Sequence, residues 1–379
     1  MFGLNPPSSE PLARGYPMYY RRVCLESFGY TLPDEVVTTV ELERRLAPLY
    51  ERLRLPEGRL ELMTGIRARR FFPAGTRPST VSIESARRAI EASGIDRQHF
   101  GAVVHGSVCR DYLEPATACR VHHGLDLPGE AIIYDVSNAC LGVLTGMIQV
   151  ANMIELGQIR AGLVVGTECG RELVENTIAR LNSDVAATRN SIKDSLASLT
   201  IGSASVAVVL CDAELSQAGN RLQGAVVQCD TSHHDLCRSR GLETLMDTDS
   251  EELMREGVAT GARTFERFLA VTGWEPGDVD RTFCHQVGVA HRKLMFESLG
   301  LDPAIDFATL ETLGNTGAAA LPITMALGIE QGRLRLGDRV AMLGIGSGIN
   351  CQMLAVEWQK QLADRPTPIA DSRVRSVSR

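Results

Sequence analysis

The chain has 379 residues, 44% hydrophobic, 22% charged and 5% aromatic, a composition ordinary for a globular protein of one large or two fused domains. Its 39 Lys and Arg against 46 Asp and Glu leave a net charge of −7, which argues against nucleic acid as the main partner. There is no run of 18 apolar residues and no charged-then-apolar leader, so neither a membrane span nor a secretory signal is expected, and the expected compartment is the cytoplasm.

In chain order, residues 1–17 hold four prolines, two glycines and two serines without periodicity and read as a disordered leader. A strand is predicted at 20–28, a helix opened by a threonine cap at 39–53, and a second helix at 79–92. Between the helices lies TGIRARRF, residues 64–71, whose ionisable groups are Arg67, Arg69 and Arg70. Such a segment suits the phosphates of a nucleotide-bearing substrate, and equally a solvated face or a subunit contact. A strand at 102–108 follows, then YLEP, in which Pro115 suits the first position of a helix and Glu114 the junction before it.

The segment AIIYDVSNACLGVLTGMIQVANMIELG, residues 131–157, is the centre of the pattern. Residues 131–136 read as a buried strand, and Leu141, Leu144, Ile148, Ala151 and Ile154 fall at helical spacing after it. Cys140 sits where strand becomes helix, next to N–H groups that have no partner inside the helix. That position is expected to favour the thiolate, the form that attacks thioesters and carbonyls. The ten cysteines contain no C-x-x-C pair, so reduced thiols are expected. His122-His123 and His233-His234 read as surface residues, not metal ligands.

Beyond the helix come strands at 162–166, 200–211 and 223–228, with a polar insertion at 182–195. A long helix at 251–272, a strand at 281–285 ending in CHQVG and a helix at 289–299 closed by Gly300 follow. Then come a glycine turn opening an apolar helix within 313–332, a strand at 339–343 entering GIGSG at 344–348, and a closing strand at 350–358. Residues 359–379 read as a tail. Strands alternating with helices predict an α/β fold with largely parallel sheets. Cys140 and His285 each end a strand and precede a helix, which suggests a duplication.

A thiolate needs a proton-handling neighbour, and an oxyanion needs donors. His285, Asn315 and the glycines of GIGSG supply these types at the ends of strands, where α/β proteins place their chemistry. Taken singly, His285 reads first as a satisfied half-buried histidine and Asn315 as a left-handed turn residue; their joint occurrence with Cys140 and the glycine loop is harder to set aside.

In TGIRARR, DVSNACLG, CHQVG, LGNTGAAALP and LGIGSG the chain from about Met18 to Trp358 resembles the thiolase-fold condensing enzymes, the 3-oxoacyl-ACP synthase III group in particular. Within it, SVCRDYLEPATA, LAPLYERL and MLGIGSGINC resemble the olefin-pathway acyl-CoA condensing enzymes of the OleA type. The resemblance implies a five-layered αβαβα fold of two duplicated halves, residues 18–215 and 216–358, and a homodimer. It implies acylation of Cys140 by a fatty acyl-CoA, with the N–H groups of Cys140 and Ser347 as oxyanion hole. His285 and Asn315 would hold a second acyl-CoA, and Glu114 would act across the dimer interface as base. Arg67, Arg69 and Gly346 are candidate substrate contacts. No cofactor or metal is implied, CoA thioesters being substrates, and downstream olefin-pathway enzymes are candidate partners.

The implied reaction is a non-decarboxylative Claisen condensation of two acyl-CoAs. Alternatives are a malonyl-ACP-dependent synthase III, a cysteine hydrolase, since Cys, His and Asn also form a protease-like set, and a non-catalytic partner subunit. GNTG and GIGSG argue against the hydrolase, and the intact Cys140, His285 and Asn315 against the silent partner.

Overall fold

The computed structural model describes residues 18–240 and 245–359; the expected leader, and the expected tail apart from Gln359, lie outside them. The chain begins with strands β1 (Met18–Tyr19) and β2 (Val23–Thr31). A cap follows, made of β3 (Glu35–Thr38), the short helices α1 (Thr39–Arg45), α2 (Ala47–Leu53) and α3 (Arg59–Thr64), and β4 (Ala68–Phe71), which pairs with β3. Next are α4 (Pro78–Ser93), β5 (Phe100–Gly106), α5 (Thr117–Leu125), β6 (Ile132–Val136), α6 (Gly142–Glu155), β7 (Ala161–Glu168), α7 (Arg171–Ser183), α8 (Arg189–Leu199) and β8 (Ala204–Asp212). The chain continues through β9 (Arg221–Cys229), β10 (Cys237–Arg240), β11 (Leu245–Thr248), α9 (Ser250–Thr272), β12 (Arg281–Cys284) and α10 (Val289–Leu299). It closes with α11 (Leu310–Leu313), α12 (Ala320–Glu330), β13 (Arg339–Gly346) and β14 (Asn350–Glu357).

The main strands lie in the order β12-β13-β14-β9-β2-β8-β7-β5-β6, with β1 on β9. Pairs β12/β13, β5/β6 and β5/β7 are parallel, whereas β13/β14, β14/β9, β2/β8 and β7/β8 are antiparallel. The sheet is therefore mixed, not largely parallel as alternation alone suggests. Residues 347–349 form a tight turn between β13 and β14, and only an antiparallel pair can be joined that way. Strands β2 and β9 touch through one residue pair, Cys24 and Arg221, which joins two sheet portions.

Alternation along the strands divides the core into layers. In β13, Val340 and Met342 face a cluster shared with α6 and α12, while Ala341, Leu343 and Ile345 face one shared with α9 and α10. In β8, Val206, Val208 and Leu210 face the same inner cluster, while Ala207, Val209 and Cys211 pack against α4 and α5. The layers are thus α4 and α5, one sheet portion, α6 and α12, the other sheet portion, and α9 and α10, the expected five. Strands covered on both faces carry near-continuous apolar runs, which is why they are recognisable in the sequence.

Other predicted segments differ too. The strand expected to be buried over residues 131–136 is β6, which ends the sheet order among the described residues and is half-buried with Ile132 exposed, because it has a strand neighbour, β5, on one side only. The helix expected over 39–53 breaks at Leu46, because Pro48 lacks the N–H that would continue the α1 ladder; its cap is Thr38, whose hydroxyl accepts from Glu41 N at 3.1 Å. The polar insertion expected at 182–195 is the end of α7 and the start of α8. Ala187, Ile192 and Leu199 are buried there with Leu42, Leu49 and Tyr50 of the cap.

Candidate active site

The Cys140 turn is set by close backbone packing. Gly106, ending β5, lies against Gly142 at the start of α6, and a Cβ on Gly106 would stand 2.4 Å from Gly142 O. Only glycine permits that approach. The chain turns into the helix through Ala139, which holds φ at +44°, and the 3-10 turn Ala139–Leu141.

Side chains fix the turn further. Asn138 Nδ2 donates to Thr145 Oγ1 at 2.9 Å, and Asn138 Oδ1 accepts from Asn350 Nδ2 at 3.0 Å. Asn350 Nδ2 also reaches Ser347 O at 3.3 Å, while Gln352 Nε2 donates to Thr145 Oγ1 at 2.9 Å. The GIGSG turn is thereby joined to the cysteine turn. Gly346 lies directly on it: a Cβ there would be 3.0 Å from Leu141 Cγ and 3.7 Å from Cys140 Cβ.

Cys140 is half-buried, and burial pushes its thiol up to about 12, with Cys237 and Glu168 adding to the rise. The expected bias toward thiolate is not met in the resting state: desolvation of the anion outweighs the backbone N–H that favours it. His285 directly follows β12, with its N–H on Leu343 O at 3.0 Å. It is buried, and among the described residues its Nδ1 has no partner. Burial first, then His291, holds it down to about 3, so the resting pair is a thiol and a neutral imidazole.

Asn315 is buried in a turn opened by Gly314 at φ +66°. Its N–H donates to Thr200 O at 2.9 Å, its carbonyl accepts from Gly202 N at 2.9 Å, and its Oδ1 accepts from Gly317 N at 3.0 Å. That last bond commits the amide oxygen and leaves the NH2 as the donating end. The Ala139–Leu141 turn packs against Gly317–Ala319 and against β13, next to which His285 is anchored. The fold thus gathers the Cys140, Asn315 and GIGSG turns, with the His285 strand alongside.

Glu114 is not enclosed with them. It is exposed, beside Leu113, which is 94% exposed. The helix expected to open at Pro115 starts at Thr117, and Asp135 caps it in place of Glu114: its carboxylate accepts from Thr117 N at 2.8 Å and Ala118 N at 2.9 Å. Of the two arginines expected to meet substrate, Arg67 is exposed and paired with Glu311. Arg69 is enclosed instead: it is 1% exposed, and among the described residues its Nε and Nη1 lack partners. It is not open to a phosphate from solution.

Sequence reasoning missed Glu168, Asn138, Thr145 and Asn350. Asn138 and Asn350 lie within the recognised SNAC and GSGIN runs, and Glu168 is an acid at the end of a fully buried strand, TECG, a signal that was there to read. His233, expected as a surface residue, lies with Asp230 and Glu256, their ligand-type atoms within 4.8 Å of one another. Arg263 and Arg255 already pair with those carboxylates, at 3.2 and 3.0 Å, so the group is an ion-pair cluster.

Residues 63–207 match the thiolase N-terminal domain, and residues 269–358 match the C-terminal domain of 3-oxoacyl-[acyl-carrier-protein (ACP)] synthase III. An acyl-CoA:acyl-CoA alkyltransferase of Shewanella oneidensis is 45% identical over 352 residues, covering 90% of this chain and 100% of that protein. One from Xanthomonas campestris is 35% identical over 342 residues, covering 90% and 100%. Among solved structures, a Xanthomonas campestris OleA cysteine-to-serine variant with bound lauric acid and lauroyl-CoA superposes with a TM-score of 0.86 at 34% identity, covering 89% of this chain and 100% of that one.

Proposed function

The chain belongs to the acyl-CoA:acyl-CoA alkyltransferase family of thiolase-fold acyltransferases, and from that premise we propose that it joins two fatty acyl-CoAs by non-decarboxylative Claisen condensation. The observation that carries this reading is the match along nearly the whole chain to such alkyltransferases and to an OleA that holds lauroyl-CoA.

In the first half-reaction Cys140 Sγ attacks the thioester carbonyl, the carbonyl oxygen becomes an oxyanion on the N–H groups of Cys140 and Ser347, and CoA leaves as its thiol. With the thiol resting protonated, its proton departs as the attack proceeds, and the neutral His285 is the acceptor. In the second, His285 and Asn315 donate to the thioester oxygen of another acyl-CoA, Glu114 removes its α-proton, and the enolate attacks the acyl-cysteine carbonyl, expelling the Cys140 thiolate. The product is a 2-alkyl-3-oxoacyl thioester or its free acid. Synthases that decarboxylate malonyl thioesters make their carbanion without a base; joining two plain acyl groups requires one, and Glu114 is the carboxylate offered. These steps call for no cofactor.

Glu114 reaches a cysteine if it serves a partner subunit, so we read the working unit as a homodimer, each chain comprising halves 18–215 and 216–358. Among the described residues β6 is an edge strand, and Val108, Tyr112, Leu113 and Ile132 around it are exposed, the pattern of an edge that pairs with another chain. Arg67 and Gly346 remain the proposed substrate contacts, Arg67 toward the CoA phosphates. Among the described residues no helix is long and apolar enough to cross a membrane, and we assign the enzyme to the cytoplasm, where it would hand its product to further olefin-pathway enzymes.

The test separates the half-reactions. Cys140→Ala abolishes acyl transfer to protein, seen by mass spectrometry of the intact chain. Glu114→Ala retains acylation and loses condensation. Equal condensation by Glu114→Ala and wild type overturns the role of the base.

A further inference from the structure

Glu168, the last residue of β7, is 5% exposed and takes no part in the steps above. Burial raises its pKa, while the donors around it work in the other direction. Its Oε1 accepts from Val108 N at 3.1 Å and from Ala318 N at 3.2 Å, and its Oε2 accepts from Cys109 N at 3.3 Å. Ser107, whose hydroxyl donates to Thr167 O at 2.7 Å, stands beside the same carboxylate.

These donors belong to two segments. Val108 and Cys109 begin the loop that runs from β5 to Glu114, and Ala318 follows Asn315 by three residues. A carboxylate offers only lone pairs and so accepts from several backbone N–H groups at once. Gly317 leaves the room for it: a Cβ there would stand 3.0 to 3.1 Å from Glu168 Cγ, Cδ and Oε1.

We propose that Glu168 is a positioning residue for condensation, its carboxylate fastening the loop that leads to Glu114 to the turn that carries Asn315. The inference rests on the reading of Glu114 and Asn315 given above. Since Glu114 serves the partner's cysteine and Asn315 its own, the same clamp ties the geometry of one site to that of the other. Acylation needs Cys140, His285 and the two oxyanion N–H groups, none of which Glu168 bonds; its charge adds to the rise that burial imposes on the Cys140 thiol, so losing that charge does not slow acylation, and the clamp acts on the second half-reaction.

The variant is Glu168→Gln, which keeps size but brings an NH2 against backbone donors. Wild type and variant are given one long-chain acyl-CoA in excess, and three quantities are read: first-turnover CoA release, two-chain product and free fatty acid. The expected result is first-turnover release no more than about threefold below wild type, two-chain product down about 10- to 100-fold, as misplacement of a catalytic group on the ångström scale brings, and free acid rising in its place. Where Glu168→Gln fails to fold, Glu168→Asp, which keeps the charge and withdraws it by one methylene, is read by the same partition. An unchanged partition, or acylation and condensation falling by one common factor, overturns the inference. Absence of two-chain product from the wild type overturns the functional reading itself.

Discussion

The side-chain amide of Asn350 donates to the amide oxygen of Asn138 at 3.0 Å, and this bond sets the separation between the turn after β13 and the turn before α6. The proposed oxyanion hole takes one N–H from each turn, Ser347 and Cys140. Two donors converge on one oxygen only if the turns that bear them keep a fixed spacing. Thr145 and Gln352 extend the same network into α6 and β14.

Removing Asn138 therefore acts on acylation. Asn138→Ala loses the bonds to Asn350 and Thr145 and is expected to slow first-turnover CoA release about 10- to 100-fold. The stability lost is about 1 kcal/mol per hydrogen bond, measured by urea unfolding. Wild-type acylation in this variant would show that the spacing is held by other contacts.

The resting state of Cys140 is open to direct titration. With burial pushing the thiol up to about 12, the rate of alkylation by iodoacetamide is expected to rise about tenfold per pH unit from pH 7 to 10, without a plateau, because the thiolate is the reacting form. A plateau near pH 8 would contradict a desolvated, protonated thiol.

Acid stability follows from three histidines. His285 is held down to about 3, and His105 and His291 to about 4, each chiefly by burial. Unfolded, each has a pKa near 6.5. Between pH 6.5 and 4 the unfolded chain binds protons that the folded chain refuses, so stability falls as pH falls, by about 1.4 kcal/mol per unit for each histidine. Urea midpoints at pH 7.5, 6 and 5 are expected to decline in that order, and His105→Leu to flatten the decline. A profile level from 7.5 to 5 would contradict it.

Asp135 caps α5, the helix immediately after the Glu114 loop. Asp135→Ala is expected to cost about 1 kcal/mol of stability and to loosen the loop, lowering two-chain product while first-turnover CoA release stays near wild type. Loss of both in equal measure would argue that the cap supports the whole fold and not this loop.

The cysteine and histidine were legible because each follows a strand inside a short run of small or apolar residues, and the asparagine because it sits in a glycine turn before an apolar helix; the five layers came from the family resemblance, while the doubly covered strands were recognisable as unbroken apolar runs. Glu168, Asn138 and Asn350 act through bonds to residues 150 and 212 positions away in the chain, and local periodicity carries no sign of such pairs. The α7 and α8 pair reads as polar because its apolar stripe is narrow, Ile178, Ala187, Ile192 and Leu199 being spread among charged residues. The mixed sense of the sheet depends on which strands become neighbours, which alternation of strands and helices leaves open. The thiol's resting state was misjudged for a related reason: the helix start is visible in the sequence, but the burial that outweighs it is a property of the assembled turn.

The most direct measurement supplies the purified enzyme with a single long-chain acyl-CoA and no malonyl thioester, with thiol release followed and products extracted for mass spectrometry. A 2-alkyl-3-oxo acid, or the ketone left after its decarboxylation, containing both acyl chains is expected. Free fatty acid alone, with condensation appearing only after malonyl-ACP is added, would contradict this expectation and assign the enzyme to the decarboxylating synthases.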